Sequence, residues 1–151
     1  MNKLAFPVSV VMERVAVQNR WVSERWQLAG VLPEPPDADA ASGPKTLVDR
    51  TGLRQVLFSG FSAVVYPDEA EGYFLNVTST EPRIFVMWRL SEDEIEATPH
   101  SVTLSYNEAG RWMDAQEKVD SVDIPDNIFS ALVAWVQENY RPPEKKERIR
   151  P

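Results

Sequence analysis

Few side chains in this sequence could do chemistry. One histidine, His100, stands beside Pro99 at the start of a predicted strand, and there is no cysteine. Without Cys there is no thiolate nucleophile, no disulfide framework and no thiolate zinc site. Transition-metal sites usually draw on imidazole or thiolate, so a lone His predicts no such site, and His100 reads as a solvated or capping residue. The acidic run at 92–96 offers oxygen ligands but lacks the Asp-x-Asp-x-Asp-Gly spacing of a calcium loop, and reads as a solvated acidic loop. The six glycines are scattered, and neither Gly-x-x-x-x-Gly-Lys nor Gly-x-Gly-x-x-Gly occurs. No phosphate-cradling loop is therefore predicted. Ser59-Gly60-Phe61-Ser62 lacks the glycine frame of a nucleophile elbow. The sequence assigns no catalytic residue, no metal and no cofactor, and predicts a protein that is not an enzyme.

The distinctive feature is aromatic, with five Trp, six Phe and four Tyr. Phe58, Phe61, Phe74, Phe85 and Phe129 fall in apolar segments and are expected in the core. Trp21, Trp26, Trp88 and Trp112 each have an Arg next to them: Arg20, Arg25, Arg89 and Arg111. Strand alternation would bury the Trp and expose the Arg. The competing reading is a Trp/Arg face for a protein partner, since these types are enriched at binding hot spots; an Arg stacked on a Trp would also serve structure alone. The densest polar-aromatic segment is 106–115. It reads either as a hairpin turn with Trp112 in the core and Gly110 left-handed, or as a presented recognition loop. The candidate partner-binding residues are Trp88, Arg89, Tyr106, Asn107, Glu108, Arg111 and Trp112.

The elements that must position these residues are mostly strands. Residues 8–17 form a strand whose phase slips near Glu13 and Arg14, which predicts a bulge or two short strands. Residues 21–32 form its partner through the turn at 18–20. The Pro-, Ala- and Asp-rich stretch 33–48 reads as a surface loop. Apolar runs at 56–66, 73–78 and 84–90 predict three strands joined by a hairpin at 67–72 and a tight turn at 79–82, with Gly60 bending the first run. The last of these, apolar on both faces, is expected at the centre of a sheet. Residues 101–106 predict another strand, 107–110 a turn, and 117–123 a polar stretch with Val119 and Val122. The segment 126–140 is an amphipathic helix opened by Pro125 and closed by Pro142 and Pro143. Its core stripe is Ile128 or Phe129, Leu132, Val133, Val136 and Tyr140.

The chain has 151 residues, enough for one domain with its own core. Residues 1–140 read as a single β-rich domain and 141–151 as a flexible charged tail. The net charge of −7 disfavours phosphate backbones, so nucleic acid is not an expected partner. No signal peptide and no spanning helix is read, which makes the cytoplasm the expected location without membrane insertion. The fold class is α+β, mainly an antiparallel sheet of roughly eight strands curled toward a barrel or sandwich, with one C-terminal amphipathic helix.

Several segments resemble a bacterial family catalogued as domain of unknown function 3305. They are Val10-Val11-Met12-Glu13-Arg14, Trp21-Val22, Trp26 and Gly30-Val31-Leu32-Pro33 near the start. In the middle and later parts they are 69–79, Glu81-Pro82-Arg83, Phe85-Val86-Met87-Trp88-Arg89 and 105–114, followed by the Lys/Arg/Pro-rich end. The resemblance implies no established activity and no recognised catalytic residues. It implies genes beside those for formate dehydrogenase and its maturation factors. The expectation is a non-catalytic accessory factor in the maturation or assembly of a molybdenum formate dehydrogenase. Its expected partner is a protein, a maturation factor or subunit of that enzyme. The alternative is a β-barrel that binds a small molecule or cofactor precursor in an aromatic pocket.

Overall fold

A computed structural model describes residues 4–18, 23–34, 43–93 and 95–143. The elements in chain order are β1 (Ala5–Ala16), β2 (Glu24–Pro33), β3 (Lys45–Arg50), β4 (Leu53–Val64), a 3-10 turn (Pro67–Glu69), α1 (Ala70–Val77), β5 (Arg83–Leu90), β6 (Ala97–Thr103), α2 (Tyr106–Asp114), β7 (Lys118–Asp123) and α3 (Asp126–Asn139). The architecture is α+β with two antiparallel sheets. One has the strand order β2-β1-β4-β3 and the other β6-β5-β7. The described residues thus give seven strands rather than eight, no closed barrel, and three α-helices rather than one.

β1 is apolar where it crosses the core, with Val8, Val10 and Met12 fully buried. It is one strand, and its irregularities do not lie at Glu13–Arg14. Against β2 the register shifts between Val11 and Met12; against β4 it shifts between Val8 and Val10. At the second shift Ser59 and Gly60 together face Ser9, and Gly60 adopts φ +90°. That is a β-bulge, and the left-handed backbone favours glycine there, so β4 bends without splitting. β3 begins at Lys45, inside the stretch read as loop to Val48. It is an edge strand exposed at nearly every position, so it carries no apolar alternation to find. Residues 35–42 of that stretch, Trp21 and Val22, and the tail from 144 lie outside the described residues.

β5 lies between β6 and β7, at the centre of its sheet as expected. Ile84, Val86 and Trp88 join the main core, while Phe85 meets Tyr106 of α2 edge-on at 6.1 Å between ring centroids. The central strand is therefore covered on both faces, which accounts for its unbroken apolar sequence.

Two elements differ in type from the sequence reading. Residues 73–78 were expected as a strand after a hairpin at 67–72; Tyr73 to Val77 lie in α1, entered through the 3-10 turn, and Thr78 is its C-cap. The 106–115 segment, expected as a hairpin turn or loop, is α2 followed by its C-cap Ala115. Ser105 caps it, its Oγ accepting from the Glu108 N–H at 3.0 Å. Gly110 sits inside that helix and is not left-handed. α1 and α2 cross closely at Gly72, where a Cβ would stand 2.0 Å from Ser105 Oγ. The crossing requires the absence of a side chain.

Tyr73 of α1 is 1% exposed and stacks edge-on to Trp135 of α3. Its Oη accepts from the Tyr66 N–H at 2.8 Å and donates to Val64 O. Burial, chiefly, pushes the hydroxyl from about 10 up to about 12, and the nearby Glu108, Glu69 and Asp68 charges push the same way. A raised folded-state value means that the stabilisation is intact below the unfolded value and is lost as pH rises from about 10 to about 12. Tyr73→Phe should cost about 1–2 kcal/mol at neutral pH, since the Tyr66 N–H loses its acceptor. It should also flatten the loss of stability over that alkaline window. Urea melts across the window would show it; identical slopes for both proteins would mean that the hydroxyl titrates as if exposed.

Candidate functional site

The sequence-predicted site residues divide between two places. Trp88 is 7% exposed, on the core side of β5, and Arg89 beside it points to solvent. Arg89 pairs with Glu117 at 3.0 Å, and this hydrogen bond holds the Glu117 carboxyl below the usual carboxylate range. Trp26 and Arg25 obey the same alternation. At both pairs the strand pleat separates the Trp from the Arg, so neither forms a Trp/Arg face.

Tyr106, Asn107, Glu108, Arg111 and Trp112 come together on α2. At 100° per residue, Tyr106, Gly110 and Met113 share one stripe, and Ala109 and Trp112 lie on the inward half. Ala109 is buried and Trp112 half-buried, whereas Tyr106 is 56% and Met113 50% exposed. Arg111 is exposed and pairs with Glu69, whose carboxylate also accepts from Ser105 Oγ. Asn107 Nδ2 donates to Glu71 Oε1 at 3.3 Å. Glu69 thus ties the start of α1 to both the cap and the middle of α2. Met113 was missed by the sequence reading, because a turn has no outward stripe; treating 106–114 as a helix would have found it.

The second place is an open cleft of about 1100 Å³ between β2 and β7, with Trp26, Trp88 and Leu90 in its wall. The Trp26 Nε1–H donates to Ile95 O at 2.9 Å. The Trp88 Nε1–H is buried and meets no acceptor among the described residues. The Lys118 ammonium lies 5.5 Å from the Trp88 ring centroid. Leu28 N–H donates to Asp120 Oδ2 at 2.9 Å, which joins the two strands.

His100 is exposed on β6, its Nδ1 2.7 Å from Ser101 Oγ. Among the described residues no group of three or more His, Asp and Glu side chains is placed to hold a metal ion, and no helix is long and apolar enough to cross a membrane.

Fold and sites together define a two-sheet α+β protein with an exposed helical face and an aromatic cleft at a sheet edge. The model of a protein family of unknown function, DUF3305, matches residues 7–150, and the chain belongs to that family. No curated protein and no solved structure matches it.

Proposed function

We propose that the chain is a non-catalytic accessory factor in the maturation or assembly of a molybdenum formate dehydrogenase, working in the cytoplasm by binding a protein partner. The observation that supports partner binding is the outer stripe of α2. Two large apolar side chains on it, Tyr106 and Met113, stand more than half and half exposed. An exposed tyrosine and methionine sharing one stripe of a helix are residue types enriched at protein interfaces. The nature of the client rests on the gene neighbourhood that the family likeness implies.

The double replacement Tyr106→Glu/Met113→Glu tests this reading. Met113 is half exposed and Tyr106 loses only its edge-on contact with Phe85, so urea unfolding should fall by no more than about 1–2 kcal/mol. Formate dehydrogenase activity in a host carrying only this variant should fall steeply, and co-purification with the enzyme's subunits or maturation factors should be lost. Hot-spot positions typically cost about 2 kcal/mol each, roughly thirtyfold in affinity. Full activity with full stability would remove α2 from the function.

One observation favours the second reading, a site for a small molecule or cofactor precursor. The cleft beside Trp26 and Trp88 is about as large as the upper range of ligand pockets, roughly 1,000 Å³. That reading no longer involves a barrel.

A further inference from the structure

The cleft is built from strand edges. It is lined by consecutive residues, 24–28 of β2 and 118–121 of β7, so both pleat parities contribute. A cleft lying across a sheet face would show only alternate residues. Among the described residues β2 ends one sheet and β7 ends the other, so each has an edge without a strand partner at the cleft. The direction of the free groups on β2 follows from one hydrogen bond. Leu28 N–H points away from β1 to reach Asp120, and Leu28 and Trp26 lie opposite Met12 and Arg14. In an antiparallel pair, outward and inward residues alternate, so the N–H and C=O of Trp26 and Glu24 also face outward. These groups stand at the two-residue repeat of a strand waiting for a neighbour.

The side chains specify that neighbour further. Of the charged residues in the wall, Glu24 is paired with Arg14 and Asp120 accepts from Leu28 N–H. Among the described residues, neither Lys118 nor Arg25 has a carboxylate partner; Arg25 meets only the Gln27 amide. Both acids are engaged and both cations are available. Beside Lys118 lies Trp88, its register partner on β5, with its orphan indole N–H. A buried donor left unpaired costs about 1–3 kcal/mol, so an acceptor brought to it adds to binding. Leu28, Leu90 and the two indoles supply apolar surface for alternate side chains.

We propose that the β2–β7 cleft binds an extended acidic segment of another polypeptide as an added β-strand. Its backbone pairs with the free edge of β2 at Trp26 and Glu24, and one of its carbonyls accepts from the Trp88 indole. Its Asp or Glu side chains meet Lys118 and Arg25, Lys118 swinging off the indole that it covers. This site is independent of the α2 face and of any formate dehydrogenase client.

The test uses the full chain, labelled with ¹⁵N, and a pool of N-acetylated hexapeptide amides alternating Glu with Val, Leu, Ile or Phe. The expected result is a shift of the Trp88 indole N–H signal, assigned by its absence in Trp88→Phe, with slowed amide exchange at Trp26. A matched pool with Lys for Glu should bind about tenfold more weakly, and Lys118→Glu should erase or invert that preference. A third pool, N-methylated at alternate amides, should fail, because it cannot pair with a strand edge. The proposal is overturned if no pool shifts the indole signal at millimolar concentration. It is equally overturned if the N-methylated pool binds as well, which would indicate a site for small acids, or if Lys118→Glu changes nothing while the fold is intact by circular dichroism.

Discussion

Asn76→Ala is expected to lower the unfolding free energy by about 3–5 kcal/mol, although the side chain removed is small and polar. Asn76 is 1% exposed on α1. Its Nδ2 donates to Arg83 O at 2.7 Å and to Leu104 O at 2.9 Å, and its Oδ1 accepts from the Arg83 N–H at 2.8 Å. The reason for this bracket lies in the sheet. The β5–β6 ladder ends at Phe85 opposite Thr103, so Arg83 would next pair with Ser105. Ser105 instead turns its N–H to Thr103 Oγ1 and its hydroxyl to the cap of α2. The Asn76 amide, with the donors and acceptor of a peptide group, takes the vacant place. Alanine leaves three main-chain groups without partners, at about 1–3 kcal/mol each before water relieves part of the cost. Asn76→Asp should be nearly as damaging at neutral pH, since a carboxylate would face two carbonyl oxygens; protonation at low pH would restore one donor. Urea unfolding of the three proteins measures this. A loss below about 1 kcal/mol for Asn76→Ala would mean that water fills the bracket and that Asn76 does not close the sheet.

That residue also shows where sequence reasoning stopped. The 73–78 segment is an apolar run, Tyr73-Phe74-Leu75 followed by Val77 and Thr78, and so imitates a short buried strand. In α1 the buried positions are Gly72, Tyr73 and Asn76, a helical spacing carried by a glycine and an amide that hydrophobicity does not mark. The N-terminal signals were present in Pro67 and the acidic first turn. Ser105-Tyr106-Asn107-Glu108 likewise has the Ser-x-x-Glu form of a helix start, and Gly110 hid it by suggesting a turn. By contrast, β5 and α3 were legible because each buries a long, uniform apolar pattern. The α2 stripe follows once the helix is recognised. The cleft does not, because it joins segments some ninety residues apart, and which edges are left unpaired is decided by strand order alone.

Leu132→Ala should cost about 2–5 kcal/mol, and comparing it with an exposed position on the same helix identifies what holds α3 in place. Leu132 is fully buried between Ile128 and Val136, one turn away on either side. The helix has 14 residues, no side-chain cap and several β-branched positions. Such a segment is marginal by itself, so its apolar stripe must supply most of its stability. Ala134 is exposed on the other side. There Ala→Gly removes no packing and should cost about 1 kcal/mol, the propensity difference alone. If packing dominates, the Leu132 variant loses several times what the Ala134 variant loses, and the loss is global, because Trp135 and Tyr73 connect α3 to α1 and so to the Asn76 bracket. If the two variants lose equal amounts, α3 is held by its own backbone and its apolar face is not part of the cooperative core. A local melt of α3 with both sheets intact, seen by hydrogen exchange, would place the helix outside the folding unit.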